Sequence, residues 1–268
     1  MSWGLRSARM GVLWLVMAVM LAACGRHQAT VVGAVALEIT HQVDGQALQL
    51  HEAQYPTPQG ERFSVDKLRY YLSNFRLHRR DGQWFVPAVD AQSSKGYYLV
   101  DAADPASLRF RIEAVPPGDY DGIEFLVGVD EARNHAGVQS GTLDPAQGLF
   151  WTCKSGYIFL QLEGHSPQSG ADDHALTYHL GSVDAQDRAR SVYLPLAPSV
   201  AKVSERIEPE IHLYVDLAEL FRGAHEIRIA QLNTVMGSSA GKTLSDNLPG
   251  LFHVDHVHNE PRHRAHDS

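Results

Sequence analysis

From Val35 onward the chain alternates apolar and polar residues in short runs, the period of two that sends successive side chains to opposite faces of a strand. The stretch AVALEITHQVDGQALQL, residues 34–50, does so twice, with Asp44-Gly45 as a turn signal between the two runs, and reads as a hairpin. Comparable runs recur at Phe75–Leu77, Gly96–Val100, Leu108–Ile112, Gly122–Gly128, Gly156–Leu162, Ala175–Leu180, Ser191–Leu196, Ile207–Asp216 and Glu226–Ile229. Pro116-Pro117-Gly118, Asp144-Pro145 and Pro167–Gly170 punctuate them as loops. Many short strands at this spacing predict an all-β sandwich or barrel, a single domain over residues 35–252.

Helix is sparse in this pattern, one or two short segments at most. SVDKLRYYLSNF has Ser64 in position to cap a helix and Asp66 in its first turn, although Tyr70-Tyr71 suits a strand as well. VDLAELFRG, with Arg222 in the last turn and Gly223 as a stop, predicts one short helix. Neither an internal repeat nor a low-complexity linker divides the domain. The segment 253–268, HVDHVHNEPRHRAHDS, carries five of the 15 histidines and reads as a flexible His-rich tail.

The amino terminus follows a different rule. Arg6 and Arg9 precede an apolar run from Met10 to Met20 that ends in Leu21-Ala22-Ala23-Cys24. This is the form of an export signal, too short for an ordinary membrane span, and its end resembles the lipobox of bacterial lipoproteins. Residues 1–23 are therefore expected to be a signal peptide, Cys24 the lipidated first residue of the mature chain, and 24–34 a tether. Gly25 after the lipidated cysteine favours the outer membrane of a Gram-negative envelope, facing the periplasm. A net charge of −8 with acids and bases interleaved excludes a nucleic-acid backbone as a natural partner.

With Cys24 lipidated, Cys153 is the one remaining thiol, so no intramolecular disulfide holds the fold. Cys153 is either packing in an apolar strand, or a soft metal ligand or redox-labile thiol. Gly-x-Ser-x-Gly, His-Glu-x-x-His, Cys-x-x-Cys and a glycine-rich phosphate cradle are all missing from the sequence, which points away from hydrolysis and nucleotide chemistry. The wealth of histidine makes binding of a borderline transition metal the first hypothesis. His41 on the first predicted strand and His179 in LTYHLG stand out by position. In the tail, His256 and His258, with His253, His263 and His266, offer spacings of two and three that suit an accessory site.

Several longer stretches resemble the MbnP family of periplasmic copper-binding proteins. They are LRYYLSNFRL (68–77), VPPGDYDGIEFLVGVDEARN (115–134), GTLDPAQGLFWTCKSGYIFLQLEG (141–164), YHLG (178–181), VDLAELF and DNLPGLFHVDHVH. The resemblance implies a β-sandwich-like domain holding one copper ion through histidine, with His41 and His179 as the matching ligands. Cys153, Met236, His256 and His258 are weaker candidates. It further implies a di-haem cytochrome c peroxidase-like partner that oxidises a tryptophan to kynurenine in some members; Trp151 is the candidate, and the aromatic that family members carry two residues on is here Cys153. The expected protein is not an enzyme: it is lipid-anchored and binds copper for acquisition or storage. The alternative is a metal-free interaction module that binds through Trp84, Tyr97 and Tyr98.

Overall fold

A computed structural model describes residues 32–51, 54–89, 95–152, 155–181, 189–237 and 240–261. The expected signal peptide, Cys24, Cys153, His263 and His266 lie outside the described residues. The architecture is carried by strands β1 (Gly33–Val43), β2 (Arg62–Arg79), β3 (Arg109–Val115), β4 (Gly118–Val127), β5 (Gly156–His165), β6 (Ala175–Gly181), β7 (Arg190–Pro195), β8 (Ile207–Asp216), β9 (Thr234–Met236) and β10 (Phe252–Pro261). These form two curled sheets in a β-sandwich-like arrangement. The first runs β10-β8-β1, with β3 on the far side of β1; the second runs β7-β4-β2-β5-β6-β9. Pairing is antiparallel except for β1 with β8 and β6 with β9, which are parallel.

Alternation decides which face of each strand is buried. In β8, Pro209, Ile211, Leu213 and Val215 are buried, while Glu208, Glu210, His212 and Tyr214 point outward and keep partial exposure. In β1, Val35, Leu37, Ile39 and Val43 are buried, and His41 shares their phase. One hydrophobic core joins Leu37, Ile39, Ile211 and Leu213 of the first sheet to Leu68, Tyr70, Leu160, Leu162 and Tyr178 of the second. Phe252 locks the start of β10 into that core, its ring 5.8 Å from Tyr70 and 5.2 Å from Phe125, both edge-on.

Four expectations need correction. The run Glu226–Ile229 forms no strand, and the tether ends before Gly33, since Gly33 and Ala34 are buried residues of β1. SVDKLRYYLSNF is not helical but lies within the 18-residue strand β2. Its apolar spacing, Val65 to Leu68 to Leu72 to Phe75, imitates a helix because the strand is irregular at both ends of the segment. One register shift falls beside Val65 and Lys67, and another falls between Ser73 and Arg76, where Asn74 has a φ of 52°. The segment 253–261 is likewise no loose tail: it continues β10 and pairs with β8 along its whole length. Val254 and Val257 turn toward the core, and Asn259 fastens the strand by accepting from Lys202 N at 2.7 Å and donating to Val200 O at 3.0 Å. The short helix expected near Gly223 is present as Glu219–Arg222, and two unexpected ones span Glu131–Asn134 and Gly241–Asn247.

Candidate metal centre

The outward face of the first sheet gathers histidines from two strands. His212 of β8 stands directly opposite His256 of β10, and Glu210 stands opposite His258. A β-bulge between His212 and Leu213 leaves Asp255 as the extra residue on β10. That single residue matters, because His253 and His256 are three apart and would otherwise lie on opposite faces; with the bulge, His253, His256 and His258 all share the outer face. The ring centroids of His212 and His256 are 4.1 Å apart and nearly parallel, those of His212 and His258 5.1 Å, and those of His256 and His258 4.5 Å. One ring nitrogen from each of the three lies within 4.8 Å of the others. Farther along the same ladder, Tyr214 and His253 stack at 4.8 Å.

Two of these imidazoles are each held at one nitrogen by a carboxylate. His212 Nε2 lies 2.9 Å from Glu210 Oε1, and His256 Nδ1 lies 2.8 Å from Asp255 Oδ2. A carboxylate only accepts, so the ring nitrogen facing it carries the proton and the opposite nitrogen keeps its lone pair. Carboxylate on one nitrogen and metal on the other is the arrangement protein metal sites use to orient histidine. Glu38 of β1, register partner of His212, brings a third carboxylate to 3.9 Å of His212 Nε2, and Glu38, Glu210 and His212 themselves form a second close group. Arg109 of β3 pairs with Glu210 from the other side. Three imidazoles with carboxylate anchors are a donor set suited to a borderline transition ion such as copper.

The residues singled out in the sequence sit elsewhere for the most part. His41 is on the inner phase of β1, where its Nε2 shares a 2.9 Å hydrogen bond with the hydroxyl of Tyr70. Burial lowers its pKa from 6.5 to about 4, and burial pushes the Tyr70 hydroxyl well above its usual range. His179 is on the outer face of the second sheet, its Nε2 2.7 Å from Glu163 Oε1 and 3.4 Å from Gln161 Nε2. Desolvation pushes the Glu163 carboxyl up, but hydrogen bonds from Lys67, His179 and Gln161 outweigh it and hold the group below its ordinary value. Met236 is opposite His179 in the β6–β9 register and 61% exposed. Among the described residues, neither His41 nor His179 belongs to a close group of three metal-ligating side chains.

Of the tail candidates, His256 and His258 do enter the cluster. His212 was missed, although it stands in IEPEIHLYVD, an alternating run whose outward positions are Glu208, Glu210 and His212; that row of polar residues on one strand face was the available signal. Trp151 is half-buried in a short strand, Phe150–Thr152, beside the smaller core of Tyr71, Tyr157 and Phe159. A Cβ on Gly181 would sit 3.0 Å from its ring, which ties Trp151 to the end of the strand that carries His179.

A family model described as MbnP matches residues 32–237. Among solved structures, MbnP from Methylosinus trichosporium is similar, with a TM-score of 0.52, 17% identity, and coverage of 84% of this chain and 98% of that one. At that identity the likeness speaks for the fold. No curated protein matches the chain. His41, His179 and His212 lie inside the matched range, whereas His256 and His258 lie beyond it.

Proposed function

Since the chain belongs to the MbnP family, by a match over residues 32–237, we propose that it is a copper-binding protein whose ion is held by His212, His256 and His258. The observation that carries this reading is the convergence of three imidazoles, two of them oriented by a carboxylate on one ring nitrogen, Glu210 on His212 and Asp255 on His256. Neutral imidazole is the commonest protein ligand for such ions. Bound copper would supply a redox-active cation. This chain's own residues would hold it on an outer sheet face from which it can be taken up or passed on.

The wider role follows the family resemblance. The protein is a lipid-anchored component of a Gram-negative envelope, attached through Cys24, serving copper acquisition or storage without turnover of its own. A di-haem cytochrome c peroxidase-like partner would oxidise Trp151 to kynurenine. The interaction-module alternative loses support from two of its three aromatics: Tyr97 is buried, and Tyr98 is stacked on Phe110 at 4.1 Å, which leaves Trp84 as the exposed one.

Copper affinity, measured by competition against a calibrated chelator, tests the centre. One tight equivalent is expected, lost in His212→Ala and His256→Ala and kept in His41→Ala and His179→Ala. The opposite pattern, loss in His41→Ala and His179→Ala alone, would move the ion to the histidines picked out in the sequence.

A further inference from the structure

We infer that the end of the domain where the chain enters β1 docks on a phospholipid bilayer, with Trp84, Val86 and Val89 entering its surface. The inference rests on the envelope reading above, in which Cys24 carries lipid, and adds a second contact between protein and membrane. Seven large apolar side chains are left exposed among the described residues, and five of them, Val32, Trp84, Val86, Val89 and Tyr193, are brought to this end. Gly33, next to Val32, pairs with Val115 of β3. The turn after Val115 meets the end of β2, where Arg79 Nη1 donates to Pro117 O at 3.4 Å and Arg80 N to Asp119 O at 3.0 Å. The chain then reverses at Gly82, and Trp84 and Phe85 pair with His78 and Leu77 of β2. Beyond them, Pro87 and Ala88 border a cleft shared with Ile112 and Ala114, just before Val115.

The side chains suit a bilayer interface. Trp84 is 38% exposed and Tyr193 48%, with ring centroids 5.9 Å apart on the outer face of the second sheet. Tyr193 lies along that face because Gly122 is bare: a Cβ there would stand 2.6 Å from the tyrosine hydroxyl oxygen. Indole and phenol, apolar bodies with polar tips, settle at headgroup level, and Val86 and Val89, 63% and 45% exposed, supply apolar surface to bury. Charge is close to balanced here, with Arg80 and Lys95 exposed against Glu113 and Asp119, so apolar burial drives the contact. Geometry selects the bilayer as occupant. Val32 stands eight residues after Cys24, and even a fully extended chain holds it within about 28 Å of a lipidated cysteine. His212, level with Glu38, then lies about 16 Å along β1 from the docked end, on a face left open.

The test reads the depth of Trp84. Trp3→Phe, Trp14→Phe and Trp151→Phe leave it as the only indole of the full chain, which is recovered from a bacterial envelope and reconstituted into phosphatidylcholine vesicles with or without brominated acyl chains. Trp84 emission should shift to the blue on reconstitution and fall about twofold or more with the brominated lipid. Val86→Asp with Val89→Asp should abolish both changes. Met236→Asp, at an equally exposed site on β9 at the far edge of the second sheet, should leave them intact. Unquenched Trp84 in protein that floats with the vesicles would overturn the inference and turn this end toward water or a protein partner. Quenching that survives the two aspartates would overturn it too, since nearness to the anchor alone would then explain the signal. The mass of the recovered protein reads the anchor separately. If Cys24 carries no lipid the anchor reading fails, and the same chain with Cys153→Ala, coupled through Cys24 to a maleimide lipid, still puts the loop to the quenching test.

Discussion

The outward faces of the two sheets make the same opening move and end differently. Each presents a histidine whose Nε2 is held by a glutamate on the same sheet: His212 by Glu210 at 2.9 Å, and His179 by Glu163 at 2.7 Å. Around His179 the neighbours are Gln161, Lys67 and Met236, so its carboxylate is shared with an ammonium and an amide. Around His212 the neighbours are two more imidazoles, brought by an edge strand with a bulge in the right place. An oriented histidine is therefore common to both faces and does not define a metal centre. The centre is defined by what the adjacent strand delivers.

That difference can be broken at its root. Phe252 seats β10 in the core, and Phe252→Ala should cost about 3–5 kcal/mol, as truncation of buried aromatics does. Chemical denaturation should register that loss, and hydrogen exchange should show it concentrated in β10. Copper binding should weaken along with it, because two of the three ligands ride on that strand. The environment of His179, followed by its imidazole NMR signals, should stay as it was. A uniform disturbance of both faces would mean that β10 supports the whole sandwich and not the centre in particular.

The third well-defined histidine, His41, sharpens the contrast because it points inward. Its pKa is lowered by burial to about 4, so between about pH 6.5 and 4 the unfolded chain binds a proton at this residue that the folded chain does not. Stability from this residue is complete above about pH 6.5 and is lost as the pH falls toward 4, by about 3 kcal/mol in all. Denaturant titrations at pH 7 and pH 4.5 should show His41→Gln losing less stability on acidification than the unsubstituted protein. Parallel losses in the two would mean that the acid sensitivity belongs to other groups.

The fold was legible in the sequence to the extent that alternation survived. The runs at 175–180, 191–195 and 207–216 fall in strands because there the period of two is intact, while 156–162 falls in a strand buried on both faces. It failed in β2, where irregularities convert a period of two into helix-like spacing, and in β10, where the histidines drew attention from the Phe252, Val254 and Val257 core positions between them. The candidate centre was half legible for a related reason. His256 and His258 were visible as a cluster in sequence, whereas His212 joins them through pairing of strands more than 40 residues apart. Pairing and bulge placement are properties of register, which a single sequence specifies only indirectly.

The smallest expected effect builds a partial copy of the centre on the opposite face. Met236 is exposed and stands opposite His179, so Met236→His would place a second imidazole beside one already oriented by Glu163. Two imidazoles without a third should bind copper far more weakly than the His212 centre and should leave its tight equivalent unaltered. In a His212→Ala background the substitution should restore only a loose equivalent, read as a shallow phase in the same chelator competition. Tight binding there would show that two oriented imidazoles suffice, and would remove the reason for assigning the ion to the three-histidine face. Weak binding would show that the edge strand's second histidine is what turns an oriented side chain into a site.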